Sequence, residues 1–299
     1  MEKDTLRNDE IENSLADLER SWKNSPHPSV KITSYFPAYV ELFGHLRDKK
    51  CVFIETGVLD GGSLFMWRSW LGEKARIIGV DLNPAASKWR EYGFEIYIGD
   101  QGDPAFWQKT LKDIGEFDAL LDDGGHQSFQ QIVTAVEAIK FAKNNCVIAV
   151  EDTATSFMND FSMHGSATFL EYCKDATDVL IGRSYEMGIG RFPNYLNRNI
   201  IEQFENVYKM QFFNGIVAFN LNRSFSNKPE LVRNRPPNSA SDFRYEGLNS
   251  ALVDWPHPFK TKKVKVLGGV RPSITKKLKS MVPPWVKRIA KKMLFWSSP

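Results

Sequence analysis

The chain has 299 residues, of which 42% are hydrophobic and 25% charged, a composition typical of a soluble globular protein. No apolar run approaches the roughly 20 residues that a membrane-spanning helix needs, and the charged segment 1–24 lacks the apolar core of a signal peptide. The three cysteines lie far apart without metal-ligand spacing. We therefore expect reduced, buried thiols and a cytoplasmic protein.

The net charge of +3 conceals an uneven distribution along the chain. After Asp254 there are 12 Lys and Arg residues and no Asp or Glu, which leaves 27 basic and 36 acidic residues in the rest of the chain. An acidic body with a basic tail points to a membrane surface or another polyanion as a partner of the tail.

In chain order, the hydrophobic pattern predicts a polar amphipathic helix over residues 9–23, a helix over Tyr35–Leu46, and then strands that alternate with helices. The alternation predicts an α/β fold with a doubly wound, mostly parallel sheet and right-handed crossovers. The predicted strands are short and nearly all apolar, as expected where both faces of a sheet are covered. They are Cys51–Glu55, Arg76–Asp81, Phe94–Ile98, Phe117–Asp122 and Cys146–Val150, and the helices are Ser63–Leu71, Ala85–Tyr92, Pro104–Ile114 and Phe129–Lys143.

Towards the end of the sheet region, Asn214-Gly215 lies between two apolar runs, Val207–Phe213 and Ile216–Leu221. This dipeptide between apolar runs predicts a β-hairpin. We therefore divide the chain into a helical N-terminal extension (1–48), a sheet domain (49–222), a linker or arm (223–259) and a basic amphipathic tail (260–299).

The tail contains a candidate amphipathic helix after Pro283-Pro284. Over Trp285–Trp296, two tryptophans and most other apolar residues share one half of a helical wheel, and four basic residues share the other. Such a helix is typical of a segment on an anionic membrane surface, which would place the protein peripherally on the inner face of a membrane. The alternative is a helix docked on the acidic body or on a second subunit, and the sequence leaves the oligomeric state open, a homo-oligomer included.

The first strand leads into the glycine-rich turn Glu55-Thr56-Gly57-Val58-Leu59-Asp60-Gly61-Gly62-Ser63. Glycines let a backbone approach a ligand closely, and the helix start that follows offers free N–H groups. The spacing differs from the Gly-x-Gly-x-x-Gly of dinucleotide binders. Its acidic residue would repel a pyrophosphate and would suit the ammonium group of S-adenosylmethionine (SAM). The residues predicted to bind SAM here are Glu55, Gly57, Gly61 and Ser63.

Polar residues at the ends of the next two strands fit the same ligand, because ligands of doubly wound sheets bind beyond the carboxyl ends of the strands. Asp81 is placed to accept both ribose hydroxyls, and Asp100 and Gln101 are placed to meet the adenine. Asp100 and Asp152, each taken alone, fit equally well as caps of the next segment. Polar ends on five strands of one sheet favour a ligand site.

The last two strand ends predict a metal site. Asp123, Glu151 and Asp152 would converge there, and three packed carboxylates repel one another unless a cation lies between them. Oxygen ligands without Cys favour Mg²⁺ over Zn²⁺; the alternative is loop carboxylates that face water or neighbouring lysines. His126 follows Asp123 by three residues and is a candidate general base.

Taken in order, these motifs resemble a known family. The order of the motifs is similar to that in the macrolide-sugar O-methyltransferases of the mycinamicin and macrocin type. The motifs are the glycine turn with Met66-Trp67-Arg68, then Gly-Asp-Gln, Leu-Asp-Asp-Gly-Gly-His and Glu-Asp-Thr-x-Thr-Ser. The cephalosporin hydroxylase-like family is also similar. The resemblance covers about residues 32–221, and the Asp-Asp-Gly-Gly-His and Glu-Asp motifs are its specific part.

The resemblance implies a class I SAM-dependent methyltransferase domain over 49–222, whose sheet ends in the antiparallel hairpin. It also implies Mg²⁺ held by Asp123, Glu151 and Asp152, His126 as the base, and a sugar hydroxyl as acceptor. The acceptor would be a glycan, a lipid-linked glycan or a glycosylated metabolite, and we expect no nucleic acid partner. The alternatives are a metal-free small-molecule methyltransferase, a nicotinamide-dependent oxidoreductase and a non-enzymatic membrane-bound scaffold.

Overall fold

A seven-stranded sheet forms the centre of the computed structural model, which describes residues 2–161, 167–182 and 202–226. The strand order is β3-β2-β1-β4-β5-β7-β6, in which the first five strands are parallel and β7 is antiparallel to both of its neighbours. The expected mixed sheet and its C-terminal hairpin are thus confirmed. The strands are β1 Cys51–Thr56, β2 Ala75–Asp81, β3 Glu95–Ile98, β4 Ala119–Asp122, β5 Val147–Val150, β6 Val207–Phe212 and β7 Val217–Leu221.

Within the described residues, the structure has a helix in each segment that the sequence predicts to be helical. The segment predicted as a helix over Ala85–Tyr92 is instead a three-ten helix over Pro84–Tyr92, which Asn83 caps and after which Gly93 ends the turn. The helix over 169–182 has no counterpart among the predicted elements. The α-helices are α1 Glu2–Lys23, α2 Tyr35–Phe43, α3 Gly62–Leu71, α4 Pro104–Ile114, α5 Ser128–Phe141 and α6 Phe169–Gly182.

Both faces of the sheet are covered, and this explains why the strands read as continuous apolar runs. Successive side chains of a strand point to opposite faces. Phe53 accordingly packs in the core formed with α1, α2 and α3, whereas Ile54 packs in the core formed with α4, α5 and α6. The same alternation places Leu121 and Leu120 in the two cores in turn.

The N-terminal segment is part of the first of these cores. Leu18, Tyr39 and Phe43 are fully buried there, and the described residues all belong to one compact unit. Side chains of α1 and α2 therefore belong to the core on one face of the sheet. The predicted tail and the linker after Ser226 lie outside the described residues.

The predicted burial of the cysteines is confirmed, since Cys51, Cys146 and Cys173 are all buried free thiols. No helix in the described part of the chain has both the length and the apolar character that crossing a bilayer requires.

Candidate active site

A cavity of about 470 Å³ opens at the carboxyl ends of the parallel strands. Cavities of roughly 300–1,000 Å³ are typical of small-molecule sites. The cavity is lined by the turn after β1, by Asp81, and by the residues that follow β3, β4 and β5. Residues 28–32, which lie between α1 and α2, form a further part of the wall. The N-terminal segment and the strand ends thus enclose one site.

The glycine turn brings two strand ends unusually close together. Gly57 has a φ of +87°, and a Cβ added there would lie 2.0 Å from the backbone oxygen of Asp123. A Cβ at Gly61 would meet the ring of Trp89 at 2.4 Å. Gly57 lines the cavity, whereas Gly61 does not. The absence of a side chain at position 57 thus lets the β4 end approach β1, and Gly61 makes room for an aromatic ring.

Glu55 differs from its predicted role, because it is fully buried and does not line the cavity. Its carboxylate accepts hydrogen bonds from Ser63 Oγ at 2.7 Å and from Trp67 Nε1 at 3.0 Å. Burial raises the pKa of Glu55 above its usual value. An ammonium group does lie nearby, but it is that of Lys31, 3.8 Å from Glu55 Oε1. Glu55 therefore ties α3 to β1, while Ser63 both bonds to it and lines the cavity.

Asp81 lies at the cavity wall and organises the turn. One of its carboxylate oxygens accepts hydrogen bonds from the backbone N–H groups of Val58, at 2.9 Å, and Leu59, at 3.1 Å. The other accepts one from the N–H of Asn83 at 2.7 Å. The two oxygens have four lone pairs, of which these three N–H groups use three, so Asp81 can accept one further hydrogen bond. This arrangement fits a contact with one ribose hydroxyl, whereas the sequence predicts contacts with both.

Asp100 and Gln101 both line the cavity but have different surroundings. Asp100 is exposed and accepts a hydrogen bond from the N–H of Gly102 at 2.7 Å. Gln101 is buried; its amide nitrogen donates to Asp122 at 2.9 Å, and its amide oxygen accepts from the N–H of Gly125 at 2.7 Å. Burial raises the pKa of Asp122 to about 6. Gln101 thus joins the β3 end to the β4 end.

A buried lysine lies in the acidic cluster, and the sequence analysis did not single it out. The side chain of Lys31 is 1% exposed, and its Nζ lies 2.5 Å from Asp123 Oδ2 and 3.0 Å from Glu151 Oε1. Burial favours the neutral amine, but its acidic neighbours, Glu151 foremost, outweigh this and raise the pKa of Lys31 well above its usual value. The ammonium group therefore stays charged. Tyr39 also donates a hydrogen bond to Glu151.

Three of the predicted residues form a group that suits a metal ion. The ligand atoms of Asp123, His126 and Asp152 lie within 4.8 Å of one another, and within the described ranges this is the one group of its kind. All three residues line the cavity. Glu151, the third predicted ligand, also lines the cavity but is not a member of this group. Its carboxylate accepts hydrogen bonds from Lys31 and Tyr39.

The backbone of this group adopts a costly conformation. His126 has a φ of +56° and Asp152 a φ of +54°. Both lie in the left-handed region of backbone conformation, which residues other than glycine seldom adopt. Tyr35 donates a hydrogen bond to Asp152 Oδ1 at 2.6 Å, and His126 Nε2 lies 3.5 Å from Asp152 Oδ2. Such conformations cost about 1–3 kcal/mol each and cluster at functional sites. The turns after β4 and β5 thus aim a nitrogen and two carboxylates at one point.

The three residues that sequence reasoning missed all precede the first strand: Lys31, Tyr35 and Tyr39. Nothing in their spacing marks them, since a lysine in an irregular segment and tyrosines on an apolar helix are common. The acidic cluster itself was the available signal. A fully buried Glu55 beside Glu151 and Asp123 requires a counter-ion, and the chain supplies one in Lys31.

Comparison with known proteins gives consistent relatives, although no model of a protein family matches the chain. The 8-demethyl-8-alpha-L-rhamnosyl tetracenomycin-C 2'-O-methyltransferase of Streptomyces olivaceus is 31% identical over 181 residues, which are 56% of this chain and 47% of the relative. The mycinamicin VI 2''-O-methyltransferase of Micromonospora griseorubida is 26% identical over 179 residues, 56% of this chain and 44% of that enzyme. The chain thus spans about half the length of the curated relatives it matches.

Among solved structures, the MycE methyltransferase from the mycinamycin biosynthetic pathway, in complex with Mg and SAH, superposes with a TM-score of 0.60. The match is 20% identical and covers 75% of this chain and 57% of that chain. At this identity the match establishes the fold, which is the Rossmann-like fold of a methyltransferase. In sequence and in fold, the chain is thus similar to the macrolide-sugar O-methyltransferases, and the resemblance predicted from its motifs is confirmed.

Proposed function

We propose that this protein transfers a methyl group from SAM to a sugar hydroxyl of a glycan or glycosylated metabolite, with a Mg²⁺ ion at the acidic strand ends. The relatives named above carry O-methyltransferase names, and the MycE complexes contain Mg and SAH. These relatives support the proposal, although this chain covers only about half of the length of each curated relative. The proposal therefore depends on the site of this chain.

One observation carries the proposal: the group Asp123, His126 and Asp152 opens onto the same cavity as the glycine turn and Asp81. A methyl transfer needs the donor and the acceptor oxygen side by side, and holding the two in one site supplies most of the catalysis when the methyl is already activated. The turn and Asp81 would hold SAM. The β4 and β5 ends would hold the metal and the acceptor hydroxyl.

The donor set fits Mg²⁺ through its carboxylates, since hard oxygen ligands suit that ion. A Mg²⁺ ion stabilises a developing alkoxide and orients the oxygen that carries it. Asp123 and Asp152 would hold the ion. His126 would accept the hydroxyl proton at Nε2, which lies 3.5 Å from Asp152 Oδ2. In this role His126 is not a metal ligand, so the ion needs a third protein ligand other than His126. Glu151, which also lines the cavity, would supply a further carboxylate, and its Oε1 accepts a hydrogen bond from Lys31.

The rim of the cavity supports an acceptor with an apolar body. Two apolar residues in the wall formed by residues 28–32, away from the part that would hold SAM, are exposed: Val30 at 86% and Ile32 at 49%. A polar floor under an apolar rim suits a molecule whose sugar enters the site while its apolar part stays at the rim. We therefore favour a glycosylated metabolite within the broader class of sugar-bearing acceptors.

The position of Lys31 favours a second candidate, a metal-free methyltransferase. Its ammonium already neutralises part of the acidic cluster, so this cation could replace a divalent ion altogether. The two candidates differ in one measurable property, because a metal-free enzyme keeps its full rate in a chelator.

The test is transfer of a labelled methyl group from SAM to a panel of free and glycosylated small molecules, with Mg²⁺ and with EDTA. We expect labelling of at least one sugar-bearing acceptor, lost in EDTA and restored by Mg²⁺. Asp152→Asn should lower the rate at least about 100-fold, the scale of a lost group in acid–base or metal catalysis. Asp160→Asn, a matched change of an exposed residue in the same loop region, should not. Full turnover in EDTA would establish the metal-free alternative.

A further inference from the structure

The irregular segment between α1 and α2 reaches into the acidic cluster with a single side chain. Lys31 is flanked by Val30, 86% exposed, and Ile32, 49% exposed, yet its own side chain is only 1% exposed. A lysine is seldom buried to this extent unless it is paired. The neighbours of Lys31 thus face solvent while its ammonium group is drawn to the carboxylates.

The ammonium group bridges the ends of two neighbouring strands. It donates to Asp123 Oδ2 at 2.5 Å, after β4, and to Glu151 Oε1 at 3.0 Å, after β5. Asp123 also belongs to the group that suits a metal ion. A divalent cation held by Asp123 would lie close to a fixed positive charge, and like charges at such distances repel strongly inside a protein. The lysine and a cation therefore compete for the carboxylate of Asp123.

Lys31 is also the main polar attachment of its segment. Within the described residues 26–33, both side-chain hydrogen bonds belong to Lys31, and the backbone contributes only the bond from the N–H of Tyr35 to Ile32 O. His27 and Pro28 are packed closely on Gly62, where an added Cβ would meet their backbone oxygens at 2.3 and 2.5 Å. Residues 29–33 thus lie between two fixed points, Pro28 and the buried Tyr35, and between these points Lys31 is the ion-paired side chain that binds the site.

We propose that Lys31 is a built-in competitor of the divalent cation: binding of the cation releases Lys31 from Asp123 and Glu151, and residues 29–33 move with it. The inference deepens the proposed function and rests on it, since it requires a cation at this site. Release of Lys31 leaves Glu151 Oε1 free to bind the ion while Tyr39 still holds the other oxygen, and His126 is then available to the acceptor. The wall formed by residues 28–32 would thereby depend on metal loading.

The first test measures Mn²⁺ binding to the full chain by electron paramagnetic resonance, with Lys31→Met and Lys31→Arg compared with the natural protein. Lys31→Met removes the competing charge and keeps the length of the side chain, so it should bind Mn²⁺ at least about tenfold more tightly, because a charge pair at this separation is worth more than that factor. Lys31→Arg keeps the charge and should stay near the natural affinity. If Lys31 merely supported the ligands, Lys31→Met would bind Mn²⁺ more weakly or equally.

The second test needs no variant, and therefore does not depend on whether Lys31→Met folds. Amide hydrogen exchange of the peptide over residues 29–34 should become faster when Mn²⁺ is added to the natural protein. Unchanged or slower exchange, with Mn²⁺ shown to bind, overturns the competition and leaves the proposed function standing. Absence of Mn²⁺ binding by both the natural protein and Lys31→Met overturns the competition and the metal-dependent mechanism together.

Discussion

The close approach of the β1 and β4 ends can be tested by giving Gly57 a side chain. In Gly57→Ala the added Cβ would lie 2.0 Å from Asp123 O and 2.7 Å from its carbonyl carbon, both backbone atoms of the residue that follows β4. An L-residue in the left-handed region costs about 1–2 kcal/mol. Overpacking adds about 1–3 kcal/mol, because the two strand ends must separate. We expect the free energy of unfolding to fall by about 2–5 kcal/mol in total.

Gly93→Ala is the matched control, because it separates the two contributions. Gly93 has a φ of +78° and a ψ of +18°, in the left-handed region, but the nearest atom to the position of its Cβ is a side-chain nitrogen of Arg68 at 3.9 Å, an ordinary contact. It should therefore lose only the backbone contribution of about 1–2 kcal/mol. Urea unfolding of the two variants and the natural protein measures the difference. Equal losses in the two variants would show that the contact with Asp123 carries no energy and that the reasoning is wrong.

Two further predictions concern the cofactor and the pH dependence of stability. Asp81→Ala should weaken binding of S-adenosylhomocysteine by about 1–3 kcal/mol, the scale of charge-assisted hydrogen bonds, and calorimetry that finds unchanged affinity would remove Asp81 from the cofactor site. Partial desolvation of the exposed His45, followed by the charge of Lys49, lowers its pKa below the usual 6.5, and solvent screening keeps the effect on stability small. The unfolded chain therefore binds the proton more readily, so this contribution to stability is present above pH 6.5 and is lost as the pH falls below it. On acidification the free energy of unfolding of the natural protein should therefore fall more than that of His45→Gln. An equal fall in the two proteins would contradict the desolvation argument.

The elements that sequence reasoning predicted well are those whose pattern reflects burial on both faces. The five parallel strands appear within two residues of their expected bounds, and Asn214-Gly215 forms the hairpin between β6 and β7. The three-ten geometry of Pro84–Tyr92 was not predicted, because the apolar pattern does not distinguish it from a short α-helix.

Within the site, strand-end logic found Asp81, Asp123, His126 and Asp152, which do line the cavity. It failed for Glu55, because residues along a strand alternate between faces and position alone does not tell which way a carboxylate points. It could not find Lys31 at all. A side chain that folds back onto a sheet from an irregular segment has no periodicity, and its partners lie 92 and 120 residues away along the chain.

The wall contributed by residues 28–32 has a practical consequence for work on this protein and its relatives. The stretch that carries the recognisable motifs and the stretch that builds the cavity are different, because the second begins before the first strand and includes the α1–α2 junction. A chimera that exchanges only the motif-bearing region between two such proteins would join a sheet from one parent to a cavity wall from the other. A chimera whose junction lies before Pro28 would take Lys31, its two carboxylate partners and the cavity wall from the same parent.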